Sequence, residues 1–225
     1  DKNLGAFKQY GLIDKNKTLK IGNALARTEI NQISRKDLGI NEEAFVFCVV
    51  SRAIPEKGWE EAIRCVDAAR RLSGRDIQLL IIGDGAERER LQPQAGQYVH
   101  FLGFKSNIRD YFAISDMGLL PSRFRGESFP LVIIDCLFAG KPVLASDIGE
   151  VRYMMTTQNN KMAGVLFNLN NWSIPEEELT QLIIKCATDK EFYEEMLSEV
   201  EIASRKFDME NIVLEYSSVY EKLLS

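Results

Sequence analysis

Two cations, Arg52 and Lys57, flank a proline turn in the run Ser51-Arg-Ala-Ile-Pro-Glu-Lys-Gly58, between an apolar stretch and a helical one. Cations beside a helix N-terminus suit anionic oxygens, and arginine can grip them with a two-pronged fork. The plainer alternative is that both simply solvate a surface loop. Residues 121–142 hold a second cluster. There Glu127 stands at the mouth of a helix predicted over 130–139, opened by Pro130, whose missing N–H suits a first helical position. Asp135 follows in the middle of that helix, among Leu131, Val132, Ile133, Ile134, Cys136, Leu137 and Phe138. A helix apolar on almost every side is expected to be buried, and an uncompensated buried carboxylate is costly. Asp135 therefore either has a salt-bridge partner, reaches water near the helix start, or accepts hydrogen bonds from the hydroxyls of a ligand. Glu127 would serve the same ligand.

Other chemistry is poorly supported. The single histidine, His100, falls in a predicted strand and reads as a core or strand-edge residue. Gly83-Asp-Gly85 follows a strand but lacks the third glycine of a dinucleotide fingerprint, so it reads as a turn. There is no Asp-x-Asp metal motif and no assignable Ser/His/Asp set, and no metal site is expected. The four cysteines, Cys48, Cys65, Cys136 and Cys186, are widely spaced within apolar or helical patterns. They read as small buried hydrophobes in a reducing cytosol.

The elements that must position these residues alternate regularly. Apolar runs at 45–50, 77–82, 98–102, 116–120, 142–145 and 163–167 read as strands. Helical patterns follow at 58–72, after Gly85, at 107–114 and at 130–139. Such alternation predicts an α/β fold: a parallel, Rossmann-like sheet of about six strands with helices on both faces. Ligands of such sheets bind beyond the carboxyl ends of the strands, which is where both clusters lie. After Pro175 the chain reads as helical throughout, over 176–189, 190–205 and 209–224. The last stretch places Ile212, Val213, Tyr216, Val219, Tyr220 and Leu223 at helical spacing, to pack on its own sheet or on something else.

The chain of 225 residues is 45% hydrophobic and 27% charged, with a net charge of −5. That balance describes a globular protein and argues against nucleic-acid binding, which would show a basic stripe. No apolar run reaches the roughly 18 residues that suggest a membrane span. Residues 1–44 are polar, rich in Lys and Asn, and fit neither strand nor helix pattern.

In order, spacing and residue type, positions from about 17 onward resemble the family-4 retaining glycosyltransferases, which have the two-domain GT-B fold. Arg52, Lys57 and Gly58 resemble the family's Arg-x4-Lys-Gly loop. Glu127 and Asp135 fall on its Glu-x7-Glu motif, and Gly140-Lys-Pro-Val143 on the Gly-x-Pro-Val that follows. Leu80-Ile-Ile-Gly-Asp-Gly85 and Val99-His-Phe-Leu-Gly103 resemble its second and third strands, and Lys20-Ile-Gly-Asn-Ala24 its interdomain linker. The resemblance implies a donor site for a nucleoside-diphosphate sugar, with UDP or GDP as the carrier and no cofactor or metal. Arg52 and Lys57 would bind the diphosphate, and Glu127, with Ser128, the sugar; these three charged residues would be the catalytic set. Backbone N–H groups around Phe129, Leu131 and Val132 would hold sugar and phosphate, Asp135 the ribose, and Phe104 and Lys105 would face the base. Two departures stand out: Asp135 is one methylene shorter than the motif glutamate, and Pro130 replaces a common glycine.

By the same resemblance residues 1–17 are a remnant of a preceding acceptor-binding domain, 18–44 the linker and 45–205 the donor domain. Residues 206–225 form a helix that packs on the absent domain. The intact protein would transfer a sugar with retention to a saccharide or lipid-linked acceptor in glycan or polysaccharide biosynthesis. It would be cytoplasmic, at or near the inner membrane surface, and the chain alone would be inactive. The alternative is a nucleotide-sugar-binding module without chemistry.

Overall fold

The computed structural model describes residues 7, 9–11, 19, 21–31 and 33–224. Most of the stretch 1–17, together with residues 18, 20 and 32 of the expected linker, lies outside the described residues. Six strands form one sheet: β1 Phe45–Val50, β2 Ile77–Ile82, β3 Val99–Gly103, β4 Met117–Leu120, β5 Val143–Ser146 and β6 Gly164–Phe167. Their spatial order is β3-β2-β1-β4-β5-β6, and every neighbouring pair is parallel. Eight α-helices accompany them among the described residues. They are α1 Trp59–Ser73, α2 Ala86–Leu91, α3 Ile108–Ile114, α4 Leu131–Phe138, α5 Val151–Met155, α6 Glu176–Thr188, α7 Lys190–Ser204 and α8 Met209–Leu224.

Side-chain alternation divides the core in two. Val46, Cys48, Leu80 and Ile82 face Phe112 of α3 and Ile133, Ile134, Cys136 and Leu137 of α4. Phe47, Val49, Leu79 and Ile81 face Trp59, Cys65 and Val66 of α1 and Leu179 and Ile183 of α6. Strands covered on both faces need near-continuous apolar sequence, which is why these runs were readable. The expected α/β architecture is therefore present, with strand ends displaced by one residue. Helix α5 has no counterpart among the predicted elements; at five residues it offers no period to detect. All four cysteines are free and buried. Among the described residues no helix is long and apolar enough to cross a membrane.

The segment before β1 lies on the domain, held by directional contacts and by Leu25, Leu38, Ile40 and Ala44, which join or pack against the core. Leu25 forms a parallel bridge with Asp208, and Arg27 donates to Asp208 at 2.7 Å and to Ser204 at 3.0 Å. Asn31 donates twice to the carboxylate of buried Asp110, at 2.8 and 3.2 Å. Burial alone would raise the Asp110 pKa, but hydrogen bonds from Asn107 and Asn31 hold it below the usual carboxylate value. Arg35 spans Ile114 O, Glu42 O, Ala44 O and Asp116.

Candidate functional site

The sheet order reverses between β1 and β4, and the crevice beyond their carboxyl ends is where an open α/β sheet binds ligands. The loop after β1 carries Arg52 and Lys57; the loop after β4 carries Glu127. The structure brings them together. Lys57 Nζ forms an ion pair with Glu127 Oε2, both side chains being nearly buried, and Ser122 Oγ donates to the same oxygen at 3.1 Å. Arg52 is exposed and makes no ion pair among the described residues. Its guanidinium lies 5.6 Å from the centroid of the Phe124 ring, and Lys57 Nζ lies 5.1 Å from the same ring. One aromatic ring thus lies within cation–π distance of both cations.

Close backbone approach makes this assembly possible. Gly83, after β2, sits where a Cβ would stand 1.8 Å from Ser51 O, so only glycine lets that loop back the Arg52 loop. Ala53 N–H donates to Asp84 O at 2.9 Å, and Trp59 Nε1 to Ser51 Oγ at 2.8 Å. On the other side Arg123 N–H donates to Glu56 O at 2.8 Å, tying the β4 loop to the β1 loop. Glu150 N–H donates to Ser128 O at 2.8 Å, anchoring the loop's far end.

Helix α4 begins at Leu131 behind Pro130, and its first N–H groups, at Leu131 and Val132, have no carbonyl within the helix to receive them. Full burial of this helix was expected, but Leu131 is 44% exposed and Val132 and Phe138 are half-buried. The first turn is thus split, Leu131 exposed and Ile133 and Ile134 in the core. Ser128 is exposed beside it, while Phe129 turns inward and meets Phe207 edge-on at 6.0 Å.

Of the readings open for Asp135, the structure shows the salt bridge. Its Oδ1 accepts from Arg109 Nε at 2.7 Å, and Arg109 Nη1 also donates to Ala26 O at 2.7 Å and Thr28 Oγ1 at 3.0 Å. Burial pushes the Asp135 carboxyl above its usual pKa, against the pull of the Arg109 hydrogen bond and charge. Oδ2 makes no hydrogen bond among the described residues, so one oxygen is still available to a ligand hydroxyl. Arg109→Ala should lower stability by about 2 kcal/mol, less than for a sealed ion pair because Asp135 can protonate. The measurement is urea unfolding combined with proteolysis of residues 21–31, which Arg109 helps to hold.

Phe104 is 75% exposed just beyond β3, and the Lys105 ammonium lies 5.8 Å from the Tyr111 ring centroid. No hydrogen bond or ion pair joins either of them to the Lys57–Glu127 group. His100 stays at the strand edge, its Nε2 2.9 Å from Gln78 Oε1, and partial burial lowers its pKa. No group of three His, Cys, Asp or Glu side chains among the described residues could hold a metal ion. Ser122, Phe124 and Arg109 escaped the sequence reading. Their importance lies in contacts with residues distant in the chain or in an aromatic face, neither of which spacing reveals.

The arrangement provides two cations, one carboxylate and a helix start at a single crevice, a set suited to a diphosphate joined to a polyol. The sequence model of the family described as "Glycosyl transferases group 1" matches residues 30–200. The chain is 25% identical over 196 residues to N-acetyl-alpha-D-glucosaminyl L-malate synthase of Bacillus anthracis, covering 84% of this chain and 49% of that protein. It is 32% identical over 130 residues to alpha-D-kanosaminyltransferase of Streptomyces kanamyceticus, covering 54% of this chain and 32% of the other. The chain therefore spans half or less of the length of these curated relatives. Among solved structures it is similar to Anabaena HepE in complex with UDP, with a TM-score of 0.76 and 25% identity over 97% of this chain and 61% of that one. Sucrose-phosphate synthase from Thermosynechococcus elongatus shares the fold with a TM-score of 0.76 at 21% identity, over 100% of this chain and 57% of that one. The family match covers more than half of the sequence, and the chain belongs to the group 1 glycosyl transferases.

Proposed function

We propose that the chain is the donor domain of a retaining glycosyltransferase that uses a nucleoside-diphosphate sugar. The observation that carries this reading is the meeting of Lys57 and Glu127 at the β1/β4 switch point, with Arg52 exposed beside them. A diphosphate entering the crevice would take Lys57 from Glu127 and complete its coordination with Arg52. Glu127, freed, would accept hydrogen bonds from the sugar, with Ser128 beside it. The Leu131 and Val132 N–H groups, and the backbone around Phe129, would hold sugar and phosphate oxygens. Positive charge placed where the diphosphate departs stabilises the charge that develops in the transition state. No metal and no cofactor enter this scheme. The free Oδ2 of Asp135 would meet the ribose, and exposed Phe104 with Lys105 the base, UDP or GDP being the carrier.

The same reading assigns 1–17 to a preceding acceptor domain, 18–44 to the linker, 45–205 to the donor domain and 206–225 to a helix that crosses back. Helix α8 supports the last assignment. Of its apolar residues Ile212 is buried, whereas Val213, Leu214, Tyr216, Tyr220 and Leu223 are 46% to 76% exposed. The acceptor, a saccharide or lipid-linked glycan, would be held by the other domain, and the chain alone would bind donor without transferring it. The full protein would work in glycan biosynthesis in the cytoplasm, near the membrane surface.

The test is a thermal-shift and calorimetry panel of UDP, GDP, ADP and CMP, with and without magnesium, on the native chain and Arg52→Ala. One diphosphate should stabilise the fold without metal and do so less in the variant. No response to any of the four would overturn the donor-site reading.

A further inference from the structure

The hairpin turn after β6 has backbone geometry that its residues disfavour. Asn170 and Ser173 pair across it, and the two residues between them, Asn171 and Trp172, have φ of 48° and 64°. Asn160, Asn171 and Trp172 are the non-glycine residues with positive φ among the described residues. Asparagine tolerates this conformation, but a bulky aromatic residue there is a genuine outlier, and such outliers persist only where the surroundings impose them. The surroundings are those of the donor crevice. The Trp172 ring, 37% exposed, lies 4.7 Å from the guanidinium of Arg125, an exposed residue with no hydrogen bond or ion pair among the described residues. Two residues further along the turn segment, Ile174 packs so closely on Gly58 that a Cβ there would stand 2.8 Å from its Cδ1. The turn therefore touches both loops that meet in the Lys57–Glu127 pair: the β1 loop through Ile174 and the β4 loop through Trp172.

We propose that Trp172 is a positioning residue of the donor site, holding the Glu127 loop in place through Arg125. The proposal rests on the donor-site reading above. When a diphosphate takes Lys57, the β4 loop loses its ion pair to the β1 loop. The Arg125–Trp172 contact involves neither Lys57 nor Glu127 and survives that exchange, so Glu127 keeps its place while its former partner engages the ligand.

The experiment is calorimetric titration of UDP and of GDP into the native chain and its variants, with melting temperatures recorded alongside. Trp172→Asn keeps a residue suited to positive φ but removes the ring. It should bind the preferred diphosphate about three- to fivefold more weakly, the effect of losing one exposed cation–π contact, without a matching fall in melting temperature. Trp172→Phe should recover most of the affinity. Arg125→Ala should lose as much as Trp172→Asn, and the double variant no more than either, because both remove one interaction. Unchanged affinity in both single variants would overturn the proposal, as would losses that multiply in the double variant. Arg125→Ala, on an exposed side chain, keeps the test decisive should Trp172→Asn fail to fold. If the native chain gives no heat with either nucleotide, the donor-site reading falls and this proposal falls with it; heat in the native chain with unaltered variants removes the proposal alone.

Discussion

Lys57→Ala will bind a nucleoside diphosphate roughly ten- to 150-fold more weakly than the native chain, since hydrogen bonds to charged groups contribute about 1.5–3 kcal/mol each. It will also melt at a lower temperature. Arg52→Ala will lose comparable affinity but hold its melting temperature. The contrast follows from surroundings rather than from charge, which is the same. Lys57 and Glu127 have side chains only 11% exposed, and the lysine is the carboxylate's ionic partner. Removing it leaves Glu127 with the Ser122 hydroxyl at 3.1 Å as its remaining side-chain partner, and stranding a charge with little solvent is costly. Arg52 is exposed and loses only its approach to Phe124, an interaction of about 0.5–1 kcal/mol at such a site. Paired titrations and melts check both variants. Equal affinity in Lys57→Ala and the native chain would mean that the ion pair is architectural and that phosphate binds elsewhere.

The division between what could and could not be read beforehand has a physical cause. The central strands are visible because a parallel strand covered on both faces must be apolar along its length, as in Ile77–Ile82 and Phe45–Val50. Arg52, Lys57 and Glu127 could be singled out because they stand in loops at the carboxyl ends of such strands, where open α/β sheets bind ligands. That Lys57 and Glu127 touch each other is not visible, because 70 residues separate them. Asp135 shows the limit most clearly. Its burial was evident from its neighbours, but its partner, Arg109, comes from another helix 26 residues away and also serves the segment before β1. The segment before β1 gave no periodic signal because its apolar contacts, Leu25, Leu38, Ile40 and Ala44, are irregularly spaced and its other anchors are arginine and asparagine contacts, which carry no pattern. Trp172 is hidden for a different reason: nothing in Asn-Asn-Trp-Ser announces a turn that its tryptophan disfavours.

Glycine sets the second large effect, and helix α1 supplies its own control. Gly58 precedes the helix with φ of 73° and Gly74 follows it with φ of 67°. In either place alanine must adopt the left-handed region, at about 1–2 kcal/mol, partly offset by a stiffer unfolded chain. Gly74 has nothing within 4 Å of an added Cβ, so Gly74→Ala should cost about 1 kcal/mol and roughly 3 °C of melting temperature. At Gly58 the added carbon would stand 2.0 Å from Pro121 O, 2.8 Å from Ile174 Cδ1 and 3.0 Å from Pro121 C. Backbone cannot rotate away as a side chain can, so the start of α1, with the loop that carries Lys57, and the end of β4 must separate. Gly58→Ala should therefore cost about 4 kcal/mol, the sum of left-handed strain and overpacking, and roughly 10 °C. The same displacement moves Ser122 and Glu127 away from Lys57, so diphosphate affinity should fall with stability in Gly58→Ala and stay native in Gly74→Ala. If the two alanine variants melt together and bind alike, the mouth of the crevice is loose enough to absorb a methyl group. Lys57 and Glu127 would then be held by their own attraction, and not by the two strand ends that carry them.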